Sequence, residues 1–132
     1  MPEKYYLAHC ISADFALGRG IAVEFNKRFE MKNKLLQKYS KYLEEYDRGD
    51  CILEGRILNL ITKKRYFHKP TFNSMREALE TMKQICLSHG ISFIAMPTIG
   101  AGLDRLPWEW VSSEIQKIFR DTDIEIVVCK LS

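Results

Sequence analysis

Short apolar segments alternate with longer segments of helical periodicity along this chain, and the alternation restricts the fold more than any other sequence feature. Strands are predicted at residues 5–10, 91–96 and 124–129, each a short and largely apolar run. Residues 51–54 and 56–62 flank a Glu-Gly dipeptide, which is typical of a tight turn between antiparallel strands. This order predicts an α/β fold, a three-layer α/β/α sandwich whose mixed, mostly parallel central sheet has one antiparallel edge strand.

Apolar residues at helical spacing predict helices in the intervals between the strands. The longest helix runs to Ser88, with Thr71 or Asn73 as its cap and Gly90 as a left-handed stop. Its predicted buried face comprises Phe72, Met75, Leu79, Met82, Ile85 and Cys86. The other helices are predicted at residues 21–29, about 32–46, and 108–120.

The length of 132 residues predicts one domain, residues 1–132, with a single core. Hydrophobic residues make up 46% of the chain, and no segment approaches the roughly 20 apolar residues of a membrane span. No leader segment is predicted, so we expect a cytoplasmic protein, or a nuclear one in a eukaryote. The cysteines are far apart and are expected to be reduced core thiols. They are Cys10, Cys51, Cys86 and Cys129.

Basic residues are concentrated in residues 63–69, which contain three lysines, an arginine and a histidine. This segment could attract a phosphate-bearing substrate, although the chain has no motif for reading a nucleic-acid sequence. The net charge is only +3, and the other basic run, between positions 27 and 41, is partly offset by carboxylates, as on a solvated helical face. A metal site at His9 and Cys10 is not expected, because the three histidines lack ligand spacing.

Two of the predicted strands are followed by a loop with two glycines and then by a predicted helix. Gly18 and Gly20 follow the first strand, whereas Gly100 and Gly102 follow strand 91–96, with Asp104 at the loop exit. Such loops let backbone amides and the positive end of a helix approach phosphate, because glycine has no side chain to block it. One such loop is equally consistent with a turn that binds nothing. Two in one small domain indicate a ligand with two phosphates.

The crossover from strand 56–62 to strand 91–96 is expected to be right-handed, so both strands end at the same edge of the sheet. Lys63 and Asp104 would therefore face the same crevice. A salt bridge or a loop cap between them, without chemistry, is the alternative. On an extended strand Arg65 would share a face with Lys63 while Lys64 points away, so Arg65 is expected to do more to disfavour the charged form of Lys63.

Five separate segments carry the most specific pattern in the chain. They are Ala8-His9-Cys10-Ile11-Ser12, Gly18-Arg19-Gly20-Ile21-Ala22, Leu60-Ile61-Thr62-Lys63-Lys64-Arg65, His68-Lys69-Pro70-Thr71 and Met96-Pro97-Thr98-Ile99-Gly100-Ala101-Gly102-Leu103-Asp104-Arg105-Leu106. Together, and in this order, they resemble the macrodomains of the terminal ADP-ribose protein glycohydrolase type, also described as O-acyl-ADP-ribose deacylases. The resemblance covers nearly the whole chain.

The resemblance implies binding of ADP-ribose and its removal from glutamate side chains, from acylated ADP-ribose and from modified nucleic-acid bases. It implies that Lys63 attacks the anomeric carbon of the distal ribose to form a covalent lysyl adduct, and that Asp104 transfers protons and resolves the adduct. We expect no metal and no cofactor. An ordinary turn hydroxyl is the alternative role for Ser12, and Trp108 and Trp110 are expected on the helix face and in the core rather than as stacking platforms. The residues that match the family's ligand loops are Ser12, Gly18, Gly20, Ile21, Thr98, Ile99, Gly100, Ala101, Gly102 and Leu103.

The chain departs from the family's pattern in two places. Relatives have a further strand before Tyr5, ending in a Gly-Asp pair whose aspartate contacts the adenine amine, and only four residues precede Tyr5 here. The sheet is therefore expected to lack the usual first edge strand. Loss of a charge-assisted hydrogen bond of about 1.5–3 kcal/mol would weaken ADP-ribose binding roughly tenfold to a hundredfold. The alternatives are that another group fills the adenine pocket or that residues before Met1 are absent from this chain. Cys129 also stands about where relatives have a tyrosine.

Three functions are consistent with these residues. The first is an ADP-ribosyl hydrolase, and the second is a module that binds ADP-ribose without turnover. The third is a hydrolase directed at nucleic acid, in which residues 63–69 receive an ADP-ribosylated base. The expected partners are thus ADP-ribose and ADP-ribosylated protein or nucleic acid, and not a membrane. A monomer is expected, although a sheet edge left exposed would permit a dimer.

Overall fold

Five strands and four helices are formed by the residues that the structure, a computed structural model, describes: residues 4–16, 27, 30–99 and 106–129. The strands are β1 (Tyr6–Ser12), β2 (Asp50–Glu54), β3 (Ile57–Lys63), β4 (Phe93–Met96) and β5 (Glu125–Val128). The helices are α1 (Met31–Lys38), α2 (Tyr42–Glu45), α3 (Phe72–His89) and α4 (Trp108–Phe119).

The five strands form one sheet in the order β2-β3-β1-β4-β5, with β1 at its centre. Only β2 runs antiparallel to its neighbour, since β1 pairs in parallel with β3 and with β4, and β4 with β5. The predicted α/β fold, with a mostly parallel sheet and one antiparallel edge strand, is confirmed. The parallel strands all end at one edge of the sheet, which we call the carboxyl edge, and ligands of open α/β sheets bind there.

Each face of the sheet carries its own core. Leu58 and Leu60 pack with α3 and α4 on one face, while Ile57 and Ile61 pack with residues of α1 and the loop after β1 on the other. This alternation follows from the two-residue period of a strand. Because both faces are covered, β3 is buried along its length until its last residue, Lys63.

The prediction of one continuous helix at about residues 32–46 is wrong. The chain instead forms α1 and α2, separated where Tyr39 adopts a non-helical conformation (φ −128°, ψ 51°). The break brings Tyr42 over the sheet, where its hydroxyl donates a 2.6 Å hydrogen bond to Oδ2 of Asp50 on β2. Burial and this bond raise the pKa of Tyr42. A side-chain contact with the next strand, eight residues along the chain, thus accompanies the departure from the local helical pattern. The helix predicted at 21–29 lies outside the described residues, apart from residue 27.

The longest helix, α3, begins and ends as predicted. Thr71 caps it: its hydroxyl accepts from the Ser74 amide at 3.0 Å, and Ser74 Oγ accepts from the Thr71 amide at 2.9 Å. Gly90 ends it in the left-handed conformation (φ 66°). Phe72 is the exception to the predicted buried face, because it is 48% exposed and packs on the edge of α4 against Trp110 (4.6 Å between ring centroids).

All four cysteines are free thiols. Cys51 and Cys86 lie in the core, where burial raises the pKa of Cys51 well above its usual range and that of Cys86 to about 11. Cys10 and Cys129 are half-buried. Among the described residues, no helix combines the length and the apolar character needed to cross a lipid bilayer.

Candidate active site at the carboxyl edge of the sheet

Ser12 and Lys63, two of the predicted site residues, are paired at the carboxyl edge. They are the last residues of β1 and β3, and their Cα atoms are partners in the sheet register. The loops that leave the two strands stay together, because the Ala13 amide donates to the Lys63 carbonyl (2.8 Å) and the Asp14 amide to the Lys64 carbonyl (3.1 Å). Strand pairing thus places the backbones of a serine and a lysine side by side, although the two residues are far apart in the sequence.

The strand register is interrupted immediately before this pair. Ile11 is opposite Ile61, but Ser12 is opposite Lys63, so Thr62 is an extra residue on β3. Such a bulge re-aims the side chains that follow it, and bulges are frequent beside active sites. Thr62 is buried, and its Oγ1 has no hydrogen-bond partner among the described residues. Strand pairing alone therefore does not explain the local structure at the end of β3.

Asp14 holds the two exit loops in place. Its Oδ1 accepts hydrogen bonds from the Ser12 hydroxyl and from the Ala16 amide (3.2 Å), and its Oδ2 accepts from the Tyr66 amide (2.9 Å) in the loop after β3. The sequence interpretation gave this residue no role. The only signal is a Ser-x-Asp motif directly after a strand, which is typical of a local side-chain turn.

Phe15 sets the course of the loop after β1. Its backbone is in the left-handed region (φ 55°), which is costly for a bulky residue. Two contacts hold it there: its amide donates to the Ser12 carbonyl (3.0 Å), and its buried ring stacks on Tyr42 (5.5 Å between centroids). Sequence reasoning missed this residue as well, because no pattern around it signals a positive φ.

Thr98 and Ile99 follow β4 at the same carboxyl edge. Thr98 is half-buried, whereas the side chain of Ile99 is buried in the core between the sheet and α3 and α4. The Ile99 amide donates to the Pro97 carbonyl (2.8 Å), which makes a tight turn at the strand exit. Ile99 could therefore contact a ligand through its backbone only.

The remaining predicted site residues lie outside the described residues. They are Gly18, Gly20, Ile21, Gly100, Ala101, Gly102, Leu103 and Asp104. Their roles stay predictions, as does the meeting of Asp104 with Lys63.

This edge geometry agrees with the relatives of the chain, although no protein family model matches it. The ADP-ribose glycohydrolase OARD1 of Homo sapiens is 47% identical over 133 residues, which is 98% of this chain and 84% of the relative. The chain belongs to the ADP-ribose glycohydrolase macrodomains. This family membership makes it a hydrolase, as the sequence predicts.

Two further proteins are similar to this macrodomain. A DNA ADP-ribosyl glycohydrolase of Thermus aquaticus is 28% identical over 121 residues, which cover 84% of this chain and 33% of that protein. The macrodomain of Mycobacterium tuberculosis DarG superposes with a TM-score of 0.81 at 22% identity, covering 96% of this chain and 88% of that one. The second likeness bears on the fold alone.

One expectation about the macrodomain's site is wrong. Arg65 was expected to share a strand face with Lys63, but β3 ends at Lys63 and the chain bends at the next two residues. The bend continues into a turn in which the His68 amide donates to the Arg65 carbonyl (3.0 Å). The strand-face argument therefore does not apply to Arg65, whose side chain is exposed.

His9 has a structural place in the macrodomain. It is fully buried in mid-sheet, and its Nε2 donates to Oδ1 of Asn59 on β3. Burial lowers the pKa of His9 to about 4, and the bond to Asn59 opposes that shift only in part. The ring is thus neutral at physiological pH. Within the described parts of the chain, no three side chains of the metal-binding types are grouped to hold an ion.

The macrodomain also has a groove of about 750 Å³ between α3 and α4. Several of its charges pair with one another, such as Lys83 with Asp121 (2.8 Å) and Arg48 with Glu77 (3.1 Å). Ser12, Lys63, Thr98 and Ile99 do not line it. The carboxyl edge, rather than this groove, holds the candidate chemistry.

Proposed function

We propose that this macrodomain hydrolyses the bond between ADP-ribose and an acceptor, with Lys63 as nucleophile and Asp104 as proton-transfer residue. The acceptors are glutamate side chains, a nucleic-acid base, or, in O-acyl-ADP-ribose, an acyl group esterified at the anomeric oxygen. The observation that carries the proposal is the pairing of Ser12 with Lys63 at the ends of β1 and β3. The two glycine loops that match the family's ligand loops follow β1 and its other neighbour in the sheet, β4.

The proposed reaction uses Lys63 at the end of β3, and its position at this edge supports the proposal. The lone pair of the Lys63 Nζ attacks the anomeric carbon of the distal ribose, and the bond from that carbon to the acceptor breaks. The acceptor leaves with the bonding electrons and is protonated, a step assigned to Asp104. Water then attacks the same carbon, the carbon–nitrogen bond breaks, and free ADP-ribose and the lysine amine are regenerated.

Ser12 has a narrower role than a general ligand contact. Its hydroxyl proton is used in the bond to Asp14, so the oxygen can accept a hydrogen bond but has no proton to give. A phosphate oxygen has no proton to offer at neutral pH, whereas a sugar hydroxyl has. We therefore assign Ser12 to a ribose hydroxyl and leave the diphosphate to the glycine loops.

The test is release of ADP-ribose from a glutamyl-ADP-ribosylated protein by the full chain and by the Lys63→Ala variant. We expect the variant to lose release by at least about a hundredfold while retaining saturable binding of ADP-ribose in calorimetry. Lys34→Ala is the matched control, because this lysine is exposed on α1, outside the carboxyl edge and the loop after β3. Unchanged release in Lys63→Ala would contradict the mechanism.

A second measurement separates the enzyme from a module that only binds. Borohydride added during turnover would reduce the open-chain imine form of the lysyl adduct and leave a stable mass increment on the protein. We expect that increment in the full chain, on the peptide that contains Lys63, and not in Lys63→Ala. Binding of ADP-ribose with neither release nor trapped adduct would instead support the binding module.

A further inference from the structure

We propose that residues 64–69, which we call the basic aromatic loop, bind single-stranded nucleic acid at the mouth of the Lys63 site. The loop would hold the nucleotides that flank an ADP-ribosylated base. The inference rests on the proposed function for its meaning, but the binding that it predicts is measured without turnover.

Exposed aromatic rings are the first observation. Tyr66 is 54% exposed and Phe67 65%. Their ring centroids are 5.4 Å apart at an interplanar angle of 87°, and Phe67 and His68 lie 4.7 Å apart. Adjacent large aromatic side chains are rarely left this exposed without a partner. Phe72 differs, because its exposed ring already packs against Trp110.

Positive charge surrounds these rings. Lys64, Arg65 and Lys69 are exposed, the loop contains no carboxylate, and no described residue forms an ion pair with any of the three. Elsewhere on the described surface several lysines are neutralised, as Lys38 is by Glu54 at 2.8 Å and Lys83 by Asp121 at 2.8 Å. The loop therefore retains charge for a ligand.

The loop is also fixed in shape. The Tyr66 amide donates to Asp14 (2.9 Å), and the Arg65 amide donates to Nδ1 of His68 (3.3 Å). Pro70, at the far end, is buried. The rings are thus held away from the core by backbone contacts at both ends of the turn, which reduces the entropy lost when a ligand binds.

Single-stranded nucleic acid fits this combination better than an acidic protein segment. Phosphates pair with the lysines and arginine, and bases stack on the exposed rings, which is the usual arrangement of sequence-tolerant single-strand binding. An acidic peptide would use the charges but leave both rings uncovered. The Cα atom of Phe67 lies four residues from that of Lys63, at most about 14 Å along the chain, so a base stacked there adjoins the site.

The first test uses an unmodified, fluorescein-labelled oligothymidylate of about ten nucleotides and follows its anisotropy. The full chain should bind it saturably, and a Tyr66→Ala/Phe67→Ala variant should bind at least about tenfold more weakly. The control is Phe72→Ala, which removes a ring that is 48% exposed but lies outside the loop, and this variant should bind normally. Both variants change exposed rings, and circular dichroism with thermal unfolding checks that they fold.

Salt dependence separates the charges from the rings. Lys64→Gln/Lys69→Gln should lower the magnitude of the slope of log K against log salt by about 1.4, as expected for two phosphate contacts to a single strand. Lys34→Gln on α1, an exposed lysine far along the chain from the loop, should leave the slope unchanged.

The outcomes decide between the occupants. Lys63→Ala should retain oligonucleotide binding. A full chain that binds the oligonucleotide but releases no ADP-ribose would refute the catalytic proposal and leave this one standing. No saturable oligonucleotide binding, or equal binding by the double aromatic variant, would overturn it. Tighter, loop-dependent binding of a polyglutamate peptide would overturn it in favour of an acidic protein partner.

Discussion

Strands β1 and β3 place two pairs of polar residues side by side, and the surroundings of the two pairs differ. His9 and Asn59 are in register in mid-sheet, fully buried, and Asn59 also donates to the Ile52 carbonyl at 3.2 Å. Ser12 and Lys63 lie beyond a bulge, at the edge where the strands open into loops. The same strand pairing thus yields a structural pair where the register is kept and a candidate catalytic pair where it breaks.

The largest expected effect concerns the mid-sheet pair. Asn59→Leu removes the acceptor of His9 and the donor to the Ile52 carbonyl, and it leaves both partners buried without that bond. We expect the free energy of unfolding to fall by about 4 kcal/mol, since each buried group left unsatisfied costs about 1–3 kcal/mol. Urea denaturation measures the change. A loss below about 1 kcal/mol would mean that this pair does not differ from the edge pair in its contribution to stability.

Acid titration should sharpen the same contrast. Burial lowers the pKa of folded His9 to about 4, below the usual 6.5, so the unfolded chain binds the proton more tightly. Above about pH 6.5, His9 is neutral in both states and the free energy of unfolding is not reduced. As the pH falls towards 4, the unfolded chain takes up the proton first, and the free energy of unfolding decreases by up to about 3 kcal/mol.

The difference in unfolding free energy between the full chain and His9→Gln, measured from pH 7 to pH 4, isolates this contribution from that of the carboxylates. We expect the gap to change across this interval in favour of His9→Gln. A constant gap would show that His9 gains its proton as readily in the fold as in the unfolded chain.

Asp14→Asn tests the link between the two exit loops. The amide oxygen can still accept from Ser12, but the amide nitrogen replaces Oδ2 and cannot accept from the Tyr66 amide. We expect a loss of about 1–2 kcal/mol in stability and a fall of roughly tenfold in kcat/KM, because Ser12 and the loop after β3 lose their common support. Full activity together with lowered stability would restrict Asp14 to a structural role.

The smallest effect is expected for Ser12→Ala. The hydroxyl accepts from a ribose hydroxyl in our assignment, and one such neutral hydrogen bond contributes about 0.5–1.5 kcal/mol, so KM should rise roughly threefold to tenfold. Loss of the Ser12 bond to Asp14 should lower the free energy of unfolding by only about 1 kcal/mol. Steady-state kinetics and urea denaturation check both. A destabilisation as large as that of Asn59→Leu would place Ser12 with the mid-sheet pair.

Local sequence patterns correctly predicted those elements of the fold that depend only on residues close together in the sequence. The cap at Thr71 and the left-handed stop at Gly90 fix α3 from within a few residues of sequence, and both are confirmed. The break between α1 and α2 could not be predicted in this way, because it depends on the contact of Tyr42 with Asp50. Phe72 was misplaced because helical periodicity does not show where the neighbouring layer ends.

The candidate site was predictable only in part, because some of its contacts join residues that are far apart in the sequence. Lys63 and Ser12 each follow an apolar strand, so topology alone places them at one edge. The role of Asp14 depends on Tyr66, which lies 52 positions away, and no local pattern reports that pairing. The bulge at Thr62 is equally invisible in a continuous apolar strand.

The bond from the Tyr66 amide to Asp14 has a consequence for how this protein can diversify. The Tyr66 amide is hydrogen-bonded to Asp14 in the neighbouring loop, so inserting or deleting residues between Lys63 and Tyr66 would break this hydrogen bond. Ser12 would also be disturbed, because its hydroxyl donates to the same aspartate. Exchanges of the outward side chains at 64, 66 and 67 leave the attachment intact. If the loop contacts the acceptor as we propose, acceptor preference changes by point substitution while the loop length stays constant.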